Sequence, residues 1–136
     1  MAGSLDLSDL TVLIVDDEAT VTRLAKTMLN DLAIAQVFVA NDGREALDFL
    51  GLFEEDIDVI VCDWNMPRMS GFELLQQVRT VDPNMPFVML TGRNDMDSIV
   101  AARDQKVSSY LLKPFSQEQL AQHLINAKKM SALQKI

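Results

Sequence analysis

Five residues of this chain carry side chains that could do chemistry together: the adjacent acids Asp16 and Asp17, a third acid Asp63, the hydroxyl of Thr91 and the ammonium of Lys113. Each follows an apolar run: LTVLIV before Asp16, IDVIVC before Asp63, FVML before Thr91 and VSSYLL before Lys113. Carboxylates crowded at one place repel one another and resist ionising without a counter-charge. A hard divalent cation relieves this, and Mg²⁺ takes octahedral oxygen ligands at roughly 2.0–2.1 Å while keeping some of its waters. A carboxylate such as Asp63 can also attack a phosphoryl group and form an acyl phosphate. Such a transfer needs positioning and charge neutralisation more than covalent machinery. Lys113, fixed by Pro114, would bring a cation to the phosphoryl oxygens, and Thr91 a hydroxyl donor, with Gly92 leaving space beside it. Taken singly, these residues have plainer readings. Asp16 and Asp17 suit the start of a helix, Thr91-Gly92 suits a turn, and a lone lysine is usually solvated. Taken together, they favour one site.

That site exists only if the preceding elements lie side by side. Leu10–Val15 reads as a first buried strand, and Val21, Leu24, Ala25, Met28, Leu29 and Leu32 recur at the spacing of an amphipathic helix. Ile34–Ala40 makes a second strand, broken by Asn41-Asp42-Gly43. Ala46, Leu47, Phe49, Leu50 and Phe53 mark a second helix. The nearly continuous apolar run 57–62 predicts a strand covered on both faces, and Asp63 stands where it leaves the core. A turn with Pro67 and Gly71 leads to a third helix through Phe72, Leu75, Val78 and Val81, stopped by Asp82-Pro83-Asn84. Phe87–Leu90 is a fourth strand, Met96, Ile99 and Val100 a fourth helix, and Val107–Leu112 a fifth strand. Ser116 with Gln119 predicts a capping box for a last helix carrying Leu120, Leu124 and Ala127. This alternation implies an α/β fold with a doubly wound five-stranded parallel sheet and right-handed crossovers. Such sheets bind ligands beyond the carboxyl ends of their strands, at the switch point of strand order. Periodicity does not fix that order.

With 136 residues the chain is long enough for one domain with a sizeable core, read as residues 10–136 after a loose lead-in over 1–9. The core pattern leaves no room for a separate output domain. A formal net charge of −8 argues against non-specific nucleic-acid binding, which depends on Lys and Arg neutralising phosphates. It suits a cation site and a protein partner. No apolar stretch approaches the roughly 20 residues that span a bilayer. The start, MAGSLDLSDL, lacks the basic and apolar regions of a signal peptide. Cys62 is the single cysteine, so no intramolecular disulfide forms and a cytoplasmic location is expected.

The motifs DD at 16–17, DWNMPRMSG at 63–71, LTG at 90–92 and YLLKPF at 110–115 resemble the receiver domain of two-component response regulators, of the CheY-like single-domain type. The resemblance covers nearly the whole chain and implies a flavodoxin-like (βα)5 fold with strand order 2-1-3-4-5. It implies that Asp63 is the phosphoacceptor, loaded from a phosphohistidine on a sensor histidine kinase or a histidine phosphotransfer protein. Asp16, Asp17, Asp63 and the backbone carbonyl of Asn65 would hold Mg²⁺. Lys113 and Thr91 would contact the phosphoryl group, and Tyr110 would turn inward as Thr91 moves. The output face would be helix 4, strand 5 and helix 5, read by a downstream protein such as a flagellar motor switch. Relay to a phosphotransfer protein and service as a phosphate sink are the other roles implied. The resemblance implies a monomer, dimerising weakly if at all on phosphorylation, with no nucleic-acid or membrane partner. It would be a switch that catalyses only its own phosphorylation and dephosphorylation, not a turnover enzyme.

The chain also departs from the family pattern. Lys106-Val107 replaces the usual Gly-Ala before strand 5, and a glycine there serves as a helix C-cap, so that turn is expected to be reshaped. Arg93 and Asn65 are expected to tune dephosphorylation by obstructing or orienting the attacking water. Trp64, beside the acceptor, would report metal binding through its fluorescence. His123, Cys62 and the eight methionines read as structural residues. Two other readings stand beside the leading one. The first is a docking module of the same fold that is not phosphorylated in use. The second is an Asp-nucleophile phosphatase of the haloacid-dehalogenase type, which needs a second acid two residues after the nucleophile, where this chain has Asn65.

Overall fold

A computed structural model describes residues 7–53, 56–92, 100 and 107–134 of the protein. The described elements are β1 (Thr11–Val15), α1 (Ala19–Asp31), β2 (Gln36–Ala40), α2 (Gly43–Phe53), β3 (Val59–Asp63), α3 (Gly71–Val81), β4 (Phe87–Thr91), β5 (Ser109–Leu112) and α4 (Gln117–Gln134). All strand pairs are parallel, in the order β2-β1-β3-β4-β5. Of the predicted fourth helix, Val100 is helical, while Met96 and Ile99 lie outside the described residues, as do Arg93 and Lys106.

The continuous apolar runs of β1, β3 and β4 are buried at every position. Because successive strand side chains point to opposite faces, these strands feed two separate cores. On one face Val12, Ile14, Val61 and Leu90 pack with Ala25 and Leu29 of α1 and Leu120 and Leu124 of α4. On the other, Leu13, Ile60, Cys62 and Met89 pack with Ala46 of α2 and Leu74, Leu75 and Val78 of α3. Full burial of a leucine or phenylalanine is worth roughly 1.5–3 kcal/mol, so this double-sided sheet is what fixes the strand ends in space.

Local chemistry sets the element boundaries. α1 ends in a Schellman motif: Ile34 N–H donates to Leu29 O at 3.2 Å, and Ala33 N–H donates to Asn30 O at 3.0 Å. Ala33 sits in the left-handed region at φ 59°. The motif consumes Ile34, so β2 starts at Gln36 rather than at Ile34. The predicted Ser116–Gln119 capping box opens α4, with reciprocal bonds of 3.1 and 2.8 Å. A second box, Ser70–Glu73, opens α3 just after the acidic turn. Its S-x-x-E signature is visible in the sequence at Ser70 and Glu73.

Three expectations need correction. Residues 7–9 are not loose. Leu7 is buried with Leu10 in the α1/α4 core, and Asp9 pairs with Lys128 of α4 at 2.7 Å. Leu24 and Val81, counted among the apolar faces of their helices, are 53% and 67% exposed. β5 begins at Ser109, two residues late: at Ser108 the backbone N–H donates to Phe87 O at 2.8 Å, but the return bond from Phe87 N–H goes to the Ser108 hydroxyl at 2.9 Å.

Candidate functional site

β1 and β3 are neighbours, with Val15 paired to Cys62, so the acids that follow these two residues emerge at one mouth. Asp16 extends the β1–β2 ladder, its N–H donating to Ala40 O at 3.2 Å, and its side chain is fully buried. One carboxylate oxygen of Asp16 accepts from Glu18 N–H at 2.9 Å and the other from Lys113 Nζ at 2.9 Å. Asp16 thus serves the start of α1, the plainer reading, while its second oxygen serves the mouth. Asp63 ends β3, nearly buried, and Asp17 is exposed beside it. Carboxylate oxygens of Asp16, Asp17 and Asp63 all lie within 4.8 Å of one another.

Lys113 reaches this cluster from the far side of the sheet. Its N–H donates to Thr91 O at 2.9 Å, which extends the β4–β5 ladder by one residue and aims the side chain inward. Nζ then bridges Asp16 and Asp63, 3.0 Å from Asp63 Oδ1, with Glu18 at 3.7 Å. Thr91 ends β4 and is buried. Asn65 is exposed in the turn after β3, and Tyr110 is half-buried on β5 against the α2/α3 core. The turn closes tightly. Gly71 N–H donates to Trp64 O at 2.8 Å, and a Cβ at Gly71 would run into the Asp63 carbonyl, so only glycine fits there. Trp64 lies against Phe72, ring centroids 5.9 Å apart.

The electrostatics follow from burial and crowding. Burial pushes the Asp63 carboxyl above its ordinary range, and Asp16 and Asp17 push it the same way, against the hydrogen bond and charge of Lys113. Burial would lower the Lys113 ammonium, but its hydrogen bonds and ion pairs with Asp16 and Asp63 carry it above the usual lysine value. Among the described residues, one cation therefore faces three clustered carboxylates and the nearby Glu18. The all-oxygen donor set and the surplus negative charge suit a hard divalent cation.

The sequence brought Asp16, Asp17, Asp63 and Lys113 to one mouth, with Thr91 on the strand between them, and the structure agrees. It did not single out Glu18 as part of that mouth, although the third acid of the DDE run was the available signal. His123 is a half-buried helix residue whose Nδ1 lies 2.8 Å from Ser109 Oγ, and Cys62 is a buried core thiol, as expected. Beside Lys113, an open apolar hollow of about 240 Å³ is lined by Val21, Leu24, Pro114 and Phe115.

A parallel sheet wound on both faces, with three acids that could hold a metal ion and a lysine gathered at its switch point, defines a doubly wound α/β protein with a charged site at its carboxyl edge. Residues 12–125 match the response regulator receiver domain, and the chain belongs to that family. It is 36% identical to the chemotaxis protein CheY of Pseudomonas aeruginosa over 115 residues, which are 83% of this chain and 91% of that one. It is 33% identical to CheY1 of Helicobacter pylori, covering 92% of that protein. Among solved structures it is similar to a receiver domain protein from Clostridium thermocellum, with TM-score 0.86 and 29% identity, covering 91% of this chain and 98% of that one. CheY4 of Vibrio cholerae matches with TM-score 0.80 and 32% identity, covering 87% of this chain and 98% of that one. The chain is a response regulator receiver of two-component signalling. Neither the docking-module nor the phosphatase reading is favoured. Among the described residues, no helix is long and apolar enough to cross a membrane.

Proposed function

We propose that Asp63 is the phosphoacceptor of this receiver and that the acceptor mouth holds Mg²⁺ through Asp16, Asp17, Asp63 and the backbone carbonyl of Asn65. The observation that carries this reading is the Lys113 ammonium bridging Asp63 and Asp16 at 3.0 and 2.9 Å inside a cluster of three acids. Bound there, Mg²⁺ supplies positive charge to the phosphoryl oxygens and to the crowded acids. An Asp63 oxygen attacks phosphorus, the P–N bond of a donor phosphohistidine breaks, and the imidazole leaves with that electron pair. Lys113 transfers its donor contact to the incoming phosphoryl oxygens, and the Thr91 hydroxyl adds a second.

The donor is a sensor histidine kinase or a histidine phosphotransfer protein, whose helix can rest on the apolar hollow beside Lys113. The added charge of about −1.5 to −2 draws Thr91 and Lys113 toward the phosphoryl group. That movement biases Tyr110 and the face of the predicted fourth helix, β5 and α4 toward a downstream protein. The names of the chemotaxis relatives support a chemotaxis pathway; a flagellar motor switch is the target proposed on that reading. Asn65 and Arg93 set the lifetime of the acyl phosphate. The receiver spans residues 10–136, acts in the cytoplasm as a monomer, and turns over no separate substrate.

Intact mass after treatment with acetyl phosphate tests this reading. One phosphoryl adduct that requires Mg²⁺ and is lost in Asp63→Asn supports it. No adduct under conditions that label a control receiver contradicts it.

A further inference from the structure

Gly43 opens α2, and nothing in its own backbone demands a glycine: it has no positive φ, and alanine is the better helix former. What demands it is the loop after Asp63. A Cβ at Gly43 would lie 2.7 Å from Met69 Sδ, 2.9 Å from its Cγ and 3.0 Å from its Cβ. The sulfur and Cγ could swing away, but the Met69 Cβ is fixed to the main chain, so the Met69 backbone would have to give by a few tenths of an ångström. The preceding residue makes a second attachment. Asp42 Oδ1 accepts from Glu45 N–H at 2.8 Å to cap α2, and its other oxygen lies 3.4 Å from an Arg68 guanidinium nitrogen. Arg68 itself sits in the left-handed region at φ 67°, a conformation that surrounding contacts must maintain.

We propose that the Asp42-Gly43 step at the start of α2 is the seat of the phosphoacceptor loop, so that Gly43 and Asp42 act as positioning residues for the cation site at Asp63. The loop is pinned at both ends. Asp63 anchors it in the sheet, and Gly71 N–H bonds back to Trp64 O at 2.8 Å. Between those ends, the stretch that begins with Asn65 has its outer support at Arg68 and Met69. A push at Met69 is therefore passed to the Asn65 backbone. This inference rests on the proposed metal role of that carbonyl. Outer contacts of this kind typically change metal affinity by about 10–100-fold when lost.

Calorimetric titration of Mg²⁺ into the full chain tests the seat. Gly43→Ala is expected to weaken binding about tenfold. Met69→Ala, which vacates the contested space, is expected to weaken binding less, and adding Gly43→Ala to it to cost nothing further. Asp42→Asn keeps the helix cap but loses the ion pair, and is expected to weaken binding by a smaller factor. Wild-type affinity in a folded Gly43→Ala variant overturns the seat. Should that variant not fold, unchanged affinity in both Met69→Ala and Asp42→Asn overturns it equally. Failure of the wild type to bind Mg²⁺ at all would instead strike the proposed metal site itself.

Discussion

The Lys113 ammonium lies 3.0 Å from Asp63 Oδ1 and 2.9 Å from Asp16 Oδ2, so the side chain proposed to contact the phosphoryl group serves as counter-ion to the acids. The two carboxylates belong to adjacent strands, and the lysine follows the strand at the sheet edge. One ammonium thus ties three strand ends together.

Removing that cation leaves buried acids uncompensated. Lys113→Met is expected to cost about 3 kcal/mol in the absence of divalent ions. Mg²⁺ then no longer competes with the Lys113 ammonium, so the rise in melting temperature on adding it should be larger in the variant than in wild type. Thermal unfolding with and without Mg²⁺ reads both effects, and an equal Mg²⁺ shift in the two proteins would contradict the counter-ion role.

Asp63 carries a pH signature. Its folded pKa lies above the unfolded one, chiefly through burial, so ionising it costs the folded state. Its contribution to stability is full below the unfolded pKa and is lost as pH rises through the folded pKa. Asp63→Asn escapes that loss. Without Mg²⁺, the variant is expected to be the more stable protein at neutral pH, with the gap closing as the pH falls through the folded pKa. Urea unfolding across that range measures it, and a gap that widens on acidification would contradict the sign.

Ala33 closes α1 from the left-handed region, where a Cβ costs roughly 1–2 kcal/mol. Ala33→Gly removes that strain but loosens the unfolded chain. The net expectation is a stabilisation of about 1 kcal/mol by urea unfolding.

Leu7 is buried against the α1/α4 core, although the sequence there suggested a loose lead-in. Leu7→Ala is expected to cost about 2 kcal/mol. A cost near zero would mean that the segment before β1 adds nothing to the core.

Much of the fold was legible because the sheet is double-faced. The runs before Asp16, Asp63 and Thr91 are apolar at nearly every position, and only strands covered on both sides read that way. Asp16 and Asp63 were legible because each stands at the end of such a run, and Lys113 because a proline follows it at the end of the fifth strand. Strand order came only through resemblance to a family, since nothing in periodicity says which strand lies beside which. Leu7 was missed because a single leucine before a strand carries no periodic signal. The role of Gly43 was missed because its reason is a side chain 26 residues away, Met69, and not its own turn. The exposed Leu24 shows the opposite error, a residue that fits the helical period yet lies beyond the stripe that α1 buries.

The central claim is that Asp63, and no neighbouring acid, receives the phosphoryl group. Borohydride reduces an acyl phosphate to the alcohol, which would convert the acceptor aspartate to homoserine. The protein treated with acetyl phosphate and Mg²⁺, then with borohydride, can be digested and mapped by mass spectrometry. Homoserine at position 63, absent when Mg²⁺ is withheld, is the predicted result. Homoserine at 16 or 17, or none while a control receiver is converted, would contradict the account.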